Sequence, residues 1–262
     1  MANLPDAFIR KMIDRLGGED TQGVVLVGSF ARGEDGRYSD VDLWQFVRQE
    51  PSELGDPVPV EYIDGYLVTV KRTTLEKEYA CLAAPSKALW TIPALRQALV
   101  LLDKDGAILA LQRAAQSANW ERLQKDADAF AAAMLAGACE EVHKLLDALA
   151  RADESKIAYA LWNVTWNLSE AVLVQRGMLV PSENVYIDYA QQAAGRESAW
   201  TCQFRLAVGL DPLPPGEAIP SGRGAAGLRL YCETAILFQD ILPAADAAVV
   251  RRAIQMIMEA GY

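Results

Sequence analysis

In the segment 27–43, Gly28-Ser29 ends one apolar run (residues 24–27), Gly33 follows, and Ser39-Asp40-Val41-Asp42-Leu43 opens another. Read as a strand over 41–47, side chains alternate faces. Asp40 and Asp42 then project together, roughly 6–7 Å apart, while Val41 and Leu43 face a core. Two carboxylates so placed repel each other unless a hard divalent cation sits between them. A Gly-Ser turn between a strand and a short helix offers backbone N–H groups to a phosphate chain. Metal-binding carboxylates facing a phosphate turn are the equipment of phosphoryl or nucleotidyl transfer.

The elements that must hold these residues follow from the pattern around them. Residues 4–16 have helical periodicity and stop at Gly17-Gly18. Residues 23–28 and 41–47 read as strands. Residues 58–63, Asp64-Gly65 and residues 66–71 read as a hairpin with suitable turn chemistry. A helix starts at Thr73 or Thr74, with Glu76 and Lys77 behind it, and residues 98–103 form a last strand before Lys104-Asp105-Gly106. From residue 107 onward, alanine-rich helical patterns cover 107–117, 120–152, 156–177, 199–208, 225–241 and 244–260. The Pro- and Gly-rich stretch from Gly209 to Gly224 reads as a long loop. This predicts an α+β protein, with a mixed sheet and flanking helices over 1–107 and a helical bundle over 108–262.

Composition narrows the function. A chain of 262 residues, 52% hydrophobic and 23% charged, can build its core without disulfides. Cys81, Cys139, Cys202 and Cys232 lie far apart, and with His143 the single histidine no zinc-ligand spacing exists. Reduced thiols in a soluble, cytoplasmic protein are expected, since the N-terminal residues show no basic region followed by an apolar one, as a signal peptide would, and no apolar stretch is long enough to span a bilayer. The net charge of −10 argues against non-specific nucleic-acid binding and suits a cationic acceptor.

The segment resembles the signature of the polymerase-beta-type nucleotidyltransferase superfamily. Gly28, Ser29, Gly33, Asp40 and Asp42 all match its Gly-Ser turn followed by Asp-hydrophobic-Asp. The sheet-then-helices order is most similar to the small-molecule branch, the aminoglycoside and lincosamide nucleotidyltransferases. That resemblance implies a transferase that uses magnesium ions and ATP or another nucleoside triphosphate. It would move a nucleoside monophosphate onto a hydroxyl of a small acceptor, as in antibiotic resistance, and a homodimer is compatible with it. Asp40 and Asp42 would hold the metal, with Gly28 and Ser29 on the phosphates.

The resemblance also implies a third carboxylate on a neighbouring strand. The second strand of the hairpin carries Val68-Thr69-Val70 there, without an acid, and Glu61 on the first strand is the candidate ligand. A two-residue turn at Asp64-Gly65 pairs Glu61 with Val68, which leaves two alternatives: a different register, or a Glu61 that faces solvent. A base for the attacking hydroxyl is expected from the helical half, where Glu140 and Lys144 share a helix face at i and i+4. Glu140 would take the proton and Lys144 would reach the phosphates; Glu141 is the alternate base, and a plain surface ion pair is the other reading. Arg32 holds phosphate or pairs with Asp35. Trp162, Asn163, Trp166 and Asn167 form a helical stripe expected to be core, with an acceptor pocket as the other reading. Two alternatives accompany the enzyme: a degenerate member that binds nucleotide or a partner without transfer, and a protein nucleotidyltransferase, against which the large helical half argues.

Overall fold

The computed structural model describes residues 4–49 and 60–262. Helix α1 (Asp6–Leu16) presents Phe8, Met12 and Leu16 on one side, at the i, i+4, i+8 spacing of a single stripe. Strands β1 (Thr21–Val27) and β2 (Val41–Val47) follow, separated by the short helix α2 (Gly28–Arg32). Next come β3 (Val60–Ile63), β4 (Tyr66–Thr73), the helices α3 (Leu75–Ala83) and α4 (Pro85–Gln97), β5 (Leu99–Asp103) and α5 (Ala107–Ser117). The five strands form one sheet in the order β3-β4-β2-β1-β5. All neighbours are antiparallel except β2 and β4.

Strand alternation gives the sheet two buried faces. Val24, Leu26, Val41, Leu43, Val68 and Val70 pack against α1. Val25, Val27 and Phe46 pack against Leu95 of α4 and Ile108, Leu111 and Ala115 of α5. Because α5 still covers the sheet, the change of packing unit comes after Trp120, later than the compositional change near residue 107. The first unit takes Met1–Trp120 together with Leu179–Glu183; the second takes Glu121–Met178 and Asn184–Tyr262.

The second unit is helical: α6 (Gln124–Gly137), α7 (Cys139–Ala150), α8 (Glu154–Arg176), α9 (Tyr186–Ala194), α10 (Ala199–Val208), α11 (Ile219–Leu237) and α12 (Ala244–Glu259). The continuous helix expected over 120–152 is interrupted at Ala138, just after Gly137, a poor helix former. The loop expected from Gly209 to Gly224 ends early, because α11 starts at Ile219 with Pro220 in its first turn, where proline is tolerated. Its glycines are packing devices: a Cβ on Gly227 would collide with Leu161 of α8. Two helices without a clear periodic signal, α4 and α9, were not expected. Of the hairpin's first strand, residues 58 and 59 lie outside the described residues. The four cysteines are free thiols. Among the described residues, no helix is long and apolar enough to cross a membrane.

Candidate active site

The chemistry-bearing residues meet where β1 ends. Val27 pairs with Asp42 across the β1–β2 ladder, so the chain turns into α2 directly beside that aspartate. Gly28 makes the turn with a φ of +72°, in the left-handed region that side chains disfavour. A Cβ at Gly28 would also land on Asp42 Oδ2. The residue must be glycine on both grounds. The turn then closes through the Glu34 N–H, which donates to the Ser29 carbonyl at 3.0 Å.

Asp42 shares a sheet face with its parallel neighbour Thr69, whose hydroxyl donates to Asp42 Oδ1 at 2.6 Å. Burial pushes the Asp42 carboxyl above its ordinary range, against the opposing Thr69 hydrogen bond. The charges of Asp40 and Glu183 push it further up, and Arg32 pulls it down. A half-buried carboxylate crowded by two other acids is a group that a cation would stabilise.

Thr69 occupies the place where a third carboxylate was expected. Glu61 does not join the cluster. The turn has the anticipated two-residue register, Glu61 opposite Val68, which turns Glu61 to the α1 side of the sheet. There Arg15 Nη2 pairs with Glu61 Oε1 at 2.6 Å. As a metal ligand beside Asp42, Glu61 is therefore corrected: the pleat directs it to the opposite face. Among the described residues, no group of three metal-ligating side chains is assembled.

Arg32 is fixed from two sides. Its Nε donates to Glu34 Oε2 at 2.6 Å, and its Nη1 donates to the Pro181 carbonyl at 3.2 Å. Pro181 lies on the segment Leu179–Glu183, which belongs to the sheet unit although it follows α8 in the chain. The reason this segment seats itself is local to α4. Pro93 inside that helix has no N–H, so the Leu89 carbonyl lacks its helical partner. The Val180 N–H donates to that carbonyl at 3.0 Å. A buried orphan acceptor in one helix thus recruits a distant segment of chain, which carries Pro181 to Arg32 and brings the Glu183 charge within reach of Asp42. None of this was foreseen; the one available signal was a proline inside an otherwise helical stretch.

Pro93→Ala supplies the missing N–H and lets α4 satisfy Leu89 by itself. Protection of the Val180 amide against hydrogen exchange should fall by roughly tenfold, about the worth of one hydrogen bond. Unchanged protection at Val180 would show that the carbonyl is not what holds the segment.

One pleat along the same face, Trp44 pairs with Lys71 and Phe46 with Thr73. Lys71 Nζ stands 3.8 Å over the Trp44 ring and 2.8 Å from Glu78 Oε1. Glu78 is fully buried, accepts from Thr73 Oγ1 at 2.7 Å, and leaves Oε2 without a partner.

Glu140 and Lys144 lie on α7 of the second unit, where Lys144 Nζ is 2.8 Å from both Glu140 Oε1 and Glu141 Oε1. Glu140 is exposed, and its hydrogen bond from Lys144 holds its carboxyl below the usual range. Glu141 is more enclosed and keeps a buried oxygen without a partner. The stripe on α8 is not core: Trp162 and Trp166 are largely exposed.

Residues 8–89 match the family model described as a nucleotidyltransferase domain. No curated protein matches the chain. Among solved structures, the chain is similar to a nucleotidyltransferase-like protein from Exiguobacterium sibiricum 255-15, with 13% sequence identity and a TM-score of 0.48, over 95% of this chain and 78% of that one. The matched span 8–89 contains Gly28, Ser29, Arg32, Asp40, Asp42 and Thr69, so the part of this chain that resembles a nucleotidyltransferase domain is the part that builds the cluster.

Proposed function

We propose that the protein is a magnesium-dependent nucleotidyltransferase that moves AMP from ATP onto a hydroxyl of a small molecule, with aminoglycosides and lincosamides as the first acceptors to test. The observation that carries this reading is the seating of Asp42. Its carboxylate is half-buried against the Gly28 backbone at the start of the Gly28-Ser29 turn, with a pKa already raised by burial and by Asp40. Magnesium commonly takes one or two carboxylates and completes its shell with phosphates and water, so Asp40 and Asp42 suit it as protein ligands. When bound, the ion neutralises phosphate charge and eases departure of pyrophosphate.

The chain's own groups do the rest. Backbone N–H groups at Gly28 and Ser29 hold the phosphates, and the Arg32 guanidinium, fixed by Glu34 and Pro181, adds positive charge beside them. The acceptor oxygen bonds to the α-phosphorus while the bond to pyrophosphate breaks. The hydroxyl proton passes to Glu140, and Lys144 balances phosphate charge, an assignment supported by their pairing as carboxylate and ammonium on one helix face.

Pyrophosphate release from ATP and magnesium, screened across antibiotic acceptors, tests the reading. With an acceptor in hand, Glu140→Gln should lower kcat by roughly a hundredfold while nucleotide affinity stays within a few-fold. Unaltered kcat would move the base to Glu141 or off α7. A second reading is favoured by Thr69: with a hydroxyl where a third carboxylate was expected, the cluster suits a protein that binds nucleotide without transferring it. Tight magnesium–ATP binding with no pyrophosphate from any acceptor would decide for that one.

A further inference from the structure

We propose that the Thr69 hydroxyl is the third protein ligand of the magnesium site, beside Asp40 and Asp42, and that the site so built holds a single ion. The proposal rests on the nucleotidyltransferase reading above and adds to it a neutral oxygen ligand and an ion count.

Thr69 is held firmly beside the aspartates. It lies on β4, an interior strand, opposite Val60 of β3 on one side and Asp42 of β2 on the other. Its neighbours Val68 and Val70 are buried on the other face of the sheet, so a one-residue slip that moved Thr69 would turn both out of the core. A ligand on such a strand is placed more closely than one on a loop.

The hydrogen bond to Asp42 prepares the hydroxyl for a cation. A hydroxyl carries one proton and two acceptor lone pairs. The Thr69 proton goes to Asp42 Oδ1 at 2.6 Å, and the lone pairs of Oγ1 remain for a metal ion. A serine or threonine hydroxyl together with an aspartate is the protein share of the magnesium shell in P-loop nucleoside triphosphatases. Phosphate oxygens and water complete such a shell.

The same contacts limit the count to one. Paired catalytic ions stand about 3.5–4 Å apart, where they repel each other and need anionic oxygens between them. Asp42 is poorly placed to bridge a pair: Oδ1 accepts from Thr69, and Oδ2 lies where a Gly28 Cβ would be, against the turn. Glu61 on the neighbouring strand is paired with Arg15 on the other face. Arg32, whose charge reaches Asp42, supplies positive charge without a second ion. Two acids and a hydroxyl suit one magnesium ion and are too few for two.

The test uses manganese as the probe ion, with the full chain and an equimolar α,β-methylene analogue of ATP that cannot be cleaved at the α-phosphate. Free manganese, read by electron paramagnetic resonance, should show one ion bound per chain at saturation. Thr69→Val keeps the side-chain shape and should weaken manganese binding to the complex by roughly tenfold or more, and Thr69→Ser should restore it. Loss of the hydroxyl also frees Asp42, so Thr69→Cys separates ligation from orientation. A thiolate favours soft ions; this variant should bind cadmium roughly tenfold more tightly than wild type and gain a thiolate–cadmium ultraviolet band, with wild type as the blank for the four native thiols. Thr69→Asp, which supplies the expected acid, should raise the count to two. Two ions in wild type, wild-type manganese affinity in Thr69→Val, no cadmium gain in Thr69→Cys, or a count of one in a folded Thr69→Asp would each overturn the proposal and leave the nucleotidyltransferase reading standing. Manganese binding no tighter than to the analogue alone would overturn both.

Discussion

Asp42→Asn is expected to weaken magnesium-dependent ATP binding by roughly a hundredfold, the upper end of what loss of even a supporting group costs a metal site, while the fold becomes no less stable. Asparagine keeps the shape and the oxygen that accepts from Thr69, but loses the charge that burial penalises. The pH dependence follows in sign. Because the native pKa of Asp42 is raised, the folded chain binds its proton more tightly than the unfolded one. Wild-type stability is therefore lost as pH rises from the ordinary carboxylate range through the elevated native value. Asparagine does not titrate, so the variant's advantage should grow from acid to neutral pH. Urea denaturation with EDTA at both ends of that window measures it. A variant less stable than wild type at neutral pH would mean that the carboxylate stabilises the fold, contrary to its burial.

Gly28→Val should lose nucleotide binding to the same degree, yet with the opposite effect on stability. A β-branched side chain at a φ of +72° carries about 1–3 kcal/mol of backbone strain, and its Cβ occupies the place of Asp42 Oδ2. Both the turn and the carboxylate must shift. Equilibrium unfolding should show the loss, and calorimetry with ATP and magnesium should show no saturable heat. Wild-type ATP affinity in this variant would separate the Gly28-Ser29 turn from the phosphates. The two substitutions together distinguish a site that fails for lack of charge from one that fails for lack of room.

The centre of this site was legible because its signals are local. Asp42 faces as strand alternation requires, Gly28 follows the apolar run that becomes β1, and the Asp64-Gly65 turn sets the register of Glu61. The same logic showed Thr69 standing where an acid was expected. What was illegible depends on contacts far apart in the chain. The bond from Val180 to Leu89 joins residues on either side of four helices, and only the tertiary fold shows that Pro93 creates the opening for it. Helix α11 was misread for a related reason: Gly222, Gly224 and Gly227 carry breaker chemistry, but close neighbours such as Leu213, Leu149 and Leu161 leave no room for anything larger. Trp162 and Trp166 erred the other way, since periodicity marks a face without saying whether anything covers it.

The return of Leu179–Glu183 to the sheet unit also bears on how this chain is made. A ribosome releases the five strands and α5 well before residue 180, and at roughly 5–20 residues per second the delay amounts to several seconds. Through that interval the Leu89 carbonyl has no protein donor and Arg32 is without its Pro181 contact. The nascent sheet therefore cannot finish its own site; it waits for a piece of chain that is synthesised only after α6, α7 and α8. A protein assembled in this order keeps the surroundings of Arg32 incomplete until the first three helices of the helical half have emerged.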